Sequence, residues 1–404
     1  MKKILLISYF FPPIQSAESI MTFNAIKYLS TFGWEVIILS VKNPKKEKID
    51  LSTLPPSFKN ISIYRTFSIE NIITRILAHF KILPDNKIGW MYFAVKEGKK
   101  ILKNNNIDII ISRSTPITSH LIGEKLSSYS KLPWITCFSD PWIENPYIFY
   151  PNKIIKKINK KLEKKIISRT QNIVVTTKQI KQLFLKEYNI ANKVTVIPNS
   201  YDPVEFSKKV SKKENNKFLM TYIGNFYGPR SPEPILKALR LLDKDIRENI
   251  RLKLVGSIGK FKYLLSKYKL EDVVEIISTV SRKNIFTYFL NSDILLLIDA
   301  PSNKENIFLP SKLLEYINIE KPIIAITSEG PSAEIIKSTK TGVVVSPEKI
   351  EEIKNVIQNY YNLYQSSKLK IEPNWSEIKK YSAENYAKKL NELIGKTIQQ
   401  KEGN

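Results

Sequence analysis

The chain has 404 residues, 43% of them hydrophobic, which suits two or three domains with sizeable cores and argues against a disordered or fibrous polymer. Its single cysteine, Cys137, excludes an internal disulfide, and with only His79 and His120 beside it no conventional zinc set can be assembled. A formal charge of +26 fits an anionic partner, whether nucleic acid, an anionic membrane face or a phosphorylated substrate; the alternative is lysine used simply as surface cover.

The opening MKKILLISYFFPPIQ sets two lysines before an apolar run that Pro12 and Pro13 end, with no small-residue cleavage site. It reads as a first buried strand, Lys3–Ser8, and not as a signal peptide. A helical pattern over Ser19–Phe32, closed by Gly33, leads to a strand at Glu35–Ser40. Helical stretches at Trp90–Lys103, Ser119–Ser127 and Lys153–Arg169 then alternate with short apolar strands at Ile107–Ser112, Trp134–Phe138 and Asn172–Thr176. A seam falls at Pro198–Lys217, where PNSYDPVEF and SKKENNK have linker composition. Beyond it strands are predicted at Leu219–Ile223, Leu252–Val255, Val274–Ile277, Ile294–Ile298, Ile323–Ile326 and Val343–Val345, with helical patterns between most of them. A last helical segment, Trp375–Ile398, follows Pro373. No apolar run approaches the ~20 residues of a membrane span.

Short continuous apolar strands separated by helices point to an α/β protein with two consecutive doubly wound parallel sheets. In such sheets ligands bind beyond the carboxyl ends of the strands, so functional residues belong in the loops that follow strands.

The most informative segment is NIFLPSKLLEYINIEKPIIAIT, residues 306–327. Pro310 ends an extended stretch, Ser311 is a good N-cap, and a helix begins at Lys312. The free N–H groups and dipole of that first turn make an anion site, to which Lys312 adds a full charge. Glu315 follows about one turn later, on nearly the same face, where a carboxylate can accept from a ribose diol. LPSKLLEYINIEKPIIA resembles the nucleotide-binding motif of family-4 retaining glycosyltransferases. Those enzymes have the GT-B fold, two Rossmann-like domains facing a central cleft. The resemblance implies that Glu315 binds the donor's ribose and that the backbone of Ser311, Lys312 and Leu313 contacts its diphosphate. The family's earlier glutamate, near the donor sugar, is replaced by Ile307, and Glu305 is out of register; the identity of the sugar stays open.

Four further segments extend the resemblance. In MTYIGNFYGPRSPEPILKAL a strand ends at Gly224, and Arg230 matches the basic residue that stabilises the leaving diphosphate. DIIISRSTPITSHLIGEKL and LPWITCFSDPW resemble the acceptor-side core. There His120 and Asp140 are expected to project into the cleft, Asp140 toward an acceptor hydroxyl and His120 toward the acceptor or the donor sugar. The plainer readings are a capped turn for Asp140 and a packed helix histidine for His120. In YFFPPIQSAES, Gln15, Ser16 and Ala17 stand where the family carries a Gly-Gly loop, as a cleft loop or a plain connector. VTVIPNSYDP is assigned a hinge role.

Lys153–Arg169 places Ile154, Ile155, Ile158, Leu162, Ile166 and Ile167 at helical spacing among lysines. The apolar stripe is expected to pack on the sheet, with a lysine face free to meet anionic lipid. Asp243-Lys244-Asp245 imitates a metal motif but follows a helical run, and is discounted.

The resemblance implies an acceptor-side domain over residues 1–205, a nucleotide-sugar-binding domain over 206–372, and a helical segment over 373–404 that crosses back to the first. It implies transfer of a hexose-type sugar from a nucleotide-diphosphate-sugar, with retention and with neither metal nor cofactor. The acceptor is expected to be a lipid-linked glycan in cell-surface polysaccharide or glycolipid synthesis, and the protein to be cytoplasmic and peripheral on the inner membrane face. Two rivals stand beside this reading. One is a sugar-nucleotide epimerase or hydrolase on the same fold. The other is a nucleic-acid-binding protein, against which the lysines are dispersed and no reader motif occurs.

Overall fold

A computed structural model describes residues 1–45, 47–54, 60–206, 217–301 and 305–402. The chain forms two compact units, one of residues 1–200 with 383–404 and the other of residues 201–382. Most of the SKKENNK linker, residues 211–216, lies outside the described residues.

In chain order, the first unit contains β1 (Lys2–Ile7), α1 (Ala17–Lys27), β2 (Trp34–Val41), β3 (Ile61–Thr66), α2 (Ile72–His79), α3 (Met91–Asn104), β4 (Ile109–Ser114) and α4 (Thr118–Ser130). It continues with β5 (Trp134–Phe138), α5 (Lys153–Arg169), β6 (Asn172–Val175), α6 (Lys178–Glu187) and β7 (Val194–Val196). The strands form one parallel sheet of order β3-β2-β1-β4-β5-β6-β7. The order reverses between β1 and β4, which opens the crevice where doubly wound sheets take ligands. The apolar runs of β1, β2, β4 and β5 are buried on both faces, as a covered parallel sheet requires.

The second unit contains β8 (Phe218–Ile223), α7 (Glu233–Leu241), α8 (Lys244–Glu248), β9 (Ile250–Val255), α9 (Tyr263–Tyr268), β10 (Val274–Ile277), α10 (Arg282–Asn291) and β11 (Ile294–Ile298). Then come α11 (Ser311–Tyr316), β12 (Ile323–Ile326), α12 (Pro331–Thr339), β13 (Gly342–Val345), α13 (Ile350–Gln365) and α14 (Trp375–Lys379). Its sheet is also parallel, in the order β10-β9-β8-β11-β12-β13, and reverses between β8 and β11. One face packs under α7, α9 and α13, the other under α10, α11 and α12.

The last helix, α15 (Ala383–Glu402), belongs to the first unit. Its Tyr386, Ala387, Leu390, Leu393 and Ile394 join the core formed by β1, β2, β4 and α1.

Three helical stretches differ from their predicted form: Trp375–Ile398 is broken into α14 and α15 at residues 380–382, where the chain passes from one unit to the other, and the other two are Ser19–Phe32 and Lys153–Arg169. The pattern over Ser19–Phe32 is broken: α1 stops at Lys27 and a tight turn, Leu29–Phe32, completes it. Gly33 closes that turn at φ +81°, a left-handed position that a side chain would strain. In α5 the apolar stripe packs only over its second half. Asn159, Glu163, Ile166 and Ile167 are buried, whereas Ile154 and Ile158 remain exposed. The first turns of α5 carry lysines on both flanks, and the side of these isoleucines is left to solvent.

Candidate functional site

In the second unit, the loop after β8, the end of β11 and the start of α11 bring charged groups together at the sheet's reversal point. Asp299 follows the fully buried run of β11 and is itself buried. Its carboxylate accepts from Thr327 Oγ1 and Ser332 Oγ, both at 3.1 Å, and lies 3.6 Å from Arg230 Nη2. Lys312, the second residue of α11, sends its Nζ into the same place, 4.1 Å above the ring of Tyr222 and, among the described residues, without a hydrogen-bond partner. Burial, followed by the neighbouring charge of Arg230, pushes the Lys312 ammonium down to about 7. Asp299 is pushed up by burial, against the pull of Arg230 and Lys312. Two cations against one buried carboxylate leave the cluster short of negative charge, the condition for binding an anion.

Gly224 has φ +142°, and its N–H donates to Val255 O at 2.8 Å. A Cβ added there would collide with Lys312 Nζ, so the bare backbone is what admits the lysine. Ser311 does not cap its helix as expected. Pro310 occupies the cap position without a side-chain bond, and Ser311 is the first residue of a six-residue helix. A helix that short has a weak dipole, so the side-chain charges outweigh it. Leu313 is fully buried and faces the core, leaving only its backbone for a ligand. Glu315 is nearly buried, and Arg282 Nη1 lies 2.6 Å from its Oε1. The guanidinium of Arg282 stacks over Phe286, 4.8 Å from the ring centre. This pairing fixes the direction of the Glu315 carboxylate, as a ribose-accepting group needs.

In the first unit, Asp140 lines a cavity of about 320 Å³ together with Phe10, Pro84, Asp85, Pro116, Trp142 and Ile148. Asp85 is already committed: it accepts from the Thr118 N–H and Oγ1 at 2.7 Å and from the Lys87 N–H at 2.8 Å. Lys87 is likewise held between Glu47 and Glu70. Asp140 has no hydrogen-bond partner among the described residues, and burial raises its carboxyl to about 6. A carboxylate titrating near neutrality at a cavity wall can accept a hydroxyl proton. The turn carrying it is fixed from below. Glu18 of α1 takes Arg113 Nε at 2.5 Å and lies 2.8 Å from Ser139 Oγ, while Arg113 Nη2 donates to Asn199 at 2.6 Å.

His120 does not project into a cavity. It is fully buried in the first turn of α4, its Nδ1 2.8 Å from Ser112 Oγ and its ring 4.3 Å from that of Phe138. Because Ser112 Oγ also accepts from Trp134 Nε1 at 2.9 Å, its own proton is directed to His120 Nδ1. Burial and then Arg113 push the imidazole down to about 3, so it stays neutral. It is a packed histidine. The Gln15–Ala17 segment is partly a connector: Ser16 Oγ caps α1 by accepting from Ser19 N at 3.1 Å, and Gln15 N–H donates to Lys48 O at 2.8 Å. Ala17 is exposed at the start of α1.

The structure thus gathers Arg230, Lys312 and Gly224 around Asp299, with Glu315 one turn further along α11, and separates Asp140 from His120. Sequence reasoning passed over Asp299 and Arg282. Asp299 had a readable signal, an acidic residue directly after the apolar run ILLLI. Arg282 had none, because its value lies in a partner 33 positions away. Among the described residues no group of three or more His, Cys, Asp or Glu side chains could hold a metal ion.

Residues 19–205 match the family model of Glycosyltransferase Family 4, and residues 203–374 that of Glycosyl transferases group 1. An uncharacterized glycosyltransferase of Methanocaldococcus jannaschii is 23% identical over 325 residues, 77% of this chain and 80% of its own length. Among solved structures, sucrose-phosphate synthase from Thermosynechococcus elongatus superposes with a TM-score of 0.72 at 16% identity, covering 99% of this chain and 100% of that one. Anabaena HepE in complex with UDP and glucose does so with a TM-score of 0.68 at 13% identity, over 98% and 100%.

Proposed function

We propose that this chain, a glycosyltransferase of the GT-B type, moves a hexose-type sugar from a nucleotide-diphosphate-sugar to a glycan acceptor with retention of configuration. The observation that carries the reading is the Arg230–Lys312–Asp299 cluster, with two cations, one of them a buried ammonium without a hydrogen-bond partner among the described residues, at the carboxyl ends of β8 and β11. A diphosphate there takes charge-assisted hydrogen bonds from both cations, and Glu315, steered by Arg282, accepts from the ribose hydroxyls. HepE, a structural neighbour, holds UDP and glucose, which supports a uridine or related nucleotide as the donor carrier.

In the proposed reaction the bond between the sugar's anomeric carbon and the diphosphate oxygen breaks, and the acceptor oxygen bonds that carbon on the same face. The negative charge that grows on the departing phosphate is met by Arg230 and Lys312, groups already in place and partly desolvated. The acceptor's proton passes to the departing phosphate oxygen; in the first unit, Asp140 is read as the carboxylate its own cavity offers to an acceptor hydroxyl. No metal is required in this scheme. The packed, neutral His120 and the outward His79 leave the epimerase reading without a histidine in the cavity. The acceptor is read as part of a cell-surface glycan built at the cytoplasmic face.

A panel of UDP-, GDP- and ADP-sugars tests this, read by thermal shift and by release of nucleoside diphosphate with an added glycan acceptor. One sugar nucleotide is expected to stabilise the protein, and Arg230→Ala to abolish that stabilisation while it persists in a surface control, Lys244→Ala. A panel in which no member binds overturns the reading.

A further inference from the structure

We infer that α2 and the first half of α5 form a docking surface for an anionic bilayer, which sets the mouth of the Asp140 cavity against a lipid-linked acceptor; this rests on the glycosyl-transfer reading above. Helix α2 is turned inside out. Ile72, Ile73, Ile76 and Phe80 project from one arc of roughly 100°, at the 3.6-residue period, and all four are exposed. Its only buried residue is Ala78. A helix of a soluble domain ordinarily turns that arc to the core, and an exposed apolar face of this extent marks a contact site.

The same side continues onto α5. Asn159 Nδ2 donates to Lys81 O at 2.8 Å, which pins the turn holding Phe80 and Ile82 against the middle of α5. Beside it Ile154 and Ile158 are 71% and 52% exposed.

Charge identifies the occupant. Lys153, Lys157, Lys161 and Lys164, spaced by four, four and three, make one stripe along the exposed side of α5. Among the described residues none of the four has a carboxylate partner. In contrast Lys156, Lys160 and Lys165 are paired with Glu144, Glu187 and Glu124. Apolar side chains fringed by unneutralised lysines match the acyl boundary and headgroups of an anionic leaflet. A second copy docked face to face would set like-charged stripes on one contact, an unfavourable arrangement for an isologous dimer.

The surface also borders the cavity. Pro84, in its wall, is two residues beyond Ile82; Ile148, also in its wall, precedes Phe149, which is 83% exposed. Among the described residues no helix is long and apolar enough to cross a membrane, so attachment through this face would be peripheral.

Flotation of the full chain with vesicles of phosphatidylcholine alone, or of phosphatidylcholine with phosphatidylglycerol, tests the inference at low and high salt. Binding is expected on the anionic vesicles only, falling as salt rises. Changing Lys153, Lys157, Lys161 and Lys164 to Gln should lower partitioning by roughly 100-fold, since each lysine near such a surface contributes a factor of several. Changing Ile73 and Ile76 to Ser should lower it by roughly 10-fold or more, by removing buried methylenes, with Ile→Leu at both sites restoring it. Thermal stabilisation by UDP, or by whichever nucleoside diphosphate the wild type binds, should survive in every variant. Its survival with no vesicle binding overturns the docking surface alone, whereas its absence from the wild type overturns the transfer reading. Vesicle binding that ignores the isoleucines, or a dimer in sedimentation that the Ile→Ser changes dissolve, also overturns the inference.

Discussion

Lys312 keeps an ammonium buried beside Arg230, and its pKa of about 7 records the cost of charging it there. A diphosphate arriving at that nitrogen favours the charged form and raises the pKa again. The complex therefore holds more protons than the free protein above about pH 7. Affinity for a nucleoside diphosphate is expected to be level on the acid side and to weaken by up to about tenfold per pH unit on the alkaline side, until the pKa of the complex is reached. Calorimetry at pH ~8 in two buffers of different ionisation enthalpy measures the linkage. Uptake should approach one proton in the wild type and be smaller by that amount in Lys312→Arg, whose guanidinium is always charged. Equal uptake in both would remove Lys312 from the phosphate. Glu315→Gln should weaken nucleoside diphosphate binding by about 1–3 kcal/mol, the range for a lost charge-assisted hydrogen bond, while nucleoside binding falls equally because the contact is to ribose. Gly224→Ala should cost stability by about 1–3 kcal/mol through its backbone angle and turnover through displacement of Lys312; chemical denaturation and a donor-hydrolysis assay read the two effects. What sequence revealed at this scale were charged residues in loops that follow strands, because doubly wound sheets place ligands there. It could not show which way a helix is rotated. Thr118–Ser130 looks the same whether His120 points outward or inward, and only the Ser112 and Phe138 contacts decide.

At the scale of elements, all six strands of the second unit were legible: β8, β11 and β12 are fully buried apolar runs, and β9, β10 and β13 keep enough apolar residues between turns to read as strands. The first unit hid two. Ile61–Thr66 alternates and is largely exposed at the sheet's edge, and Val194–Val196 is only three residues long. Helix α2 escaped for a different reason: IITRILAH has the helical period, but over only eight residues, a window too short for that period to stand out. Packing between α3 and α4 gives an element-scale prediction. Gly98 sits where α3 meets Leu126, and a Cβ there would run into the Leu126 side chain. Leu126 is fully buried and has little room to move. Gly98→Ala should therefore destabilise the first unit by about 1–3 kcal/mol, the range for overpacking, despite its gain in helix propensity. A urea midpoint unchanged or raised would show that α3 can shift freely.

For the whole molecule, a net charge of +26 could be counted but not located from the sequence. In the structure many lysines are spent on nearby carboxylates, and the unpaired stripe on α5 stands out only once those pairs are known. The role of α15 was equally hard to extract, since an amphipathic last helix does not state which core it serves. Removing residues 383–404 would strip Tyr386, Leu390 and Ile394 from the first unit, at about 1.5–3 kcal/mol for each buried side chain. Scanning calorimetry of that truncation should show the first unit's transition lost or sharply lowered, with a transition still raised by nucleoside diphosphate. A truncation that melts like the full chain would place α15 outside the core.

The interleaving of the two units along the chain bears on how the protein is made. Residues 201–382 complete their unit as they emerge, but the first unit waits for a helix encoded after all of them. At ~5–20 residues per second the ribosome needs roughly 10–40 s to synthesise that intervening stretch. Throughout that interval the groove reserved for α15, lined by β1, β2 and α1, is open and apolar. The nascent first half is then a natural client for holding chaperones, while the nucleotide-binding half can finish folding ahead of it.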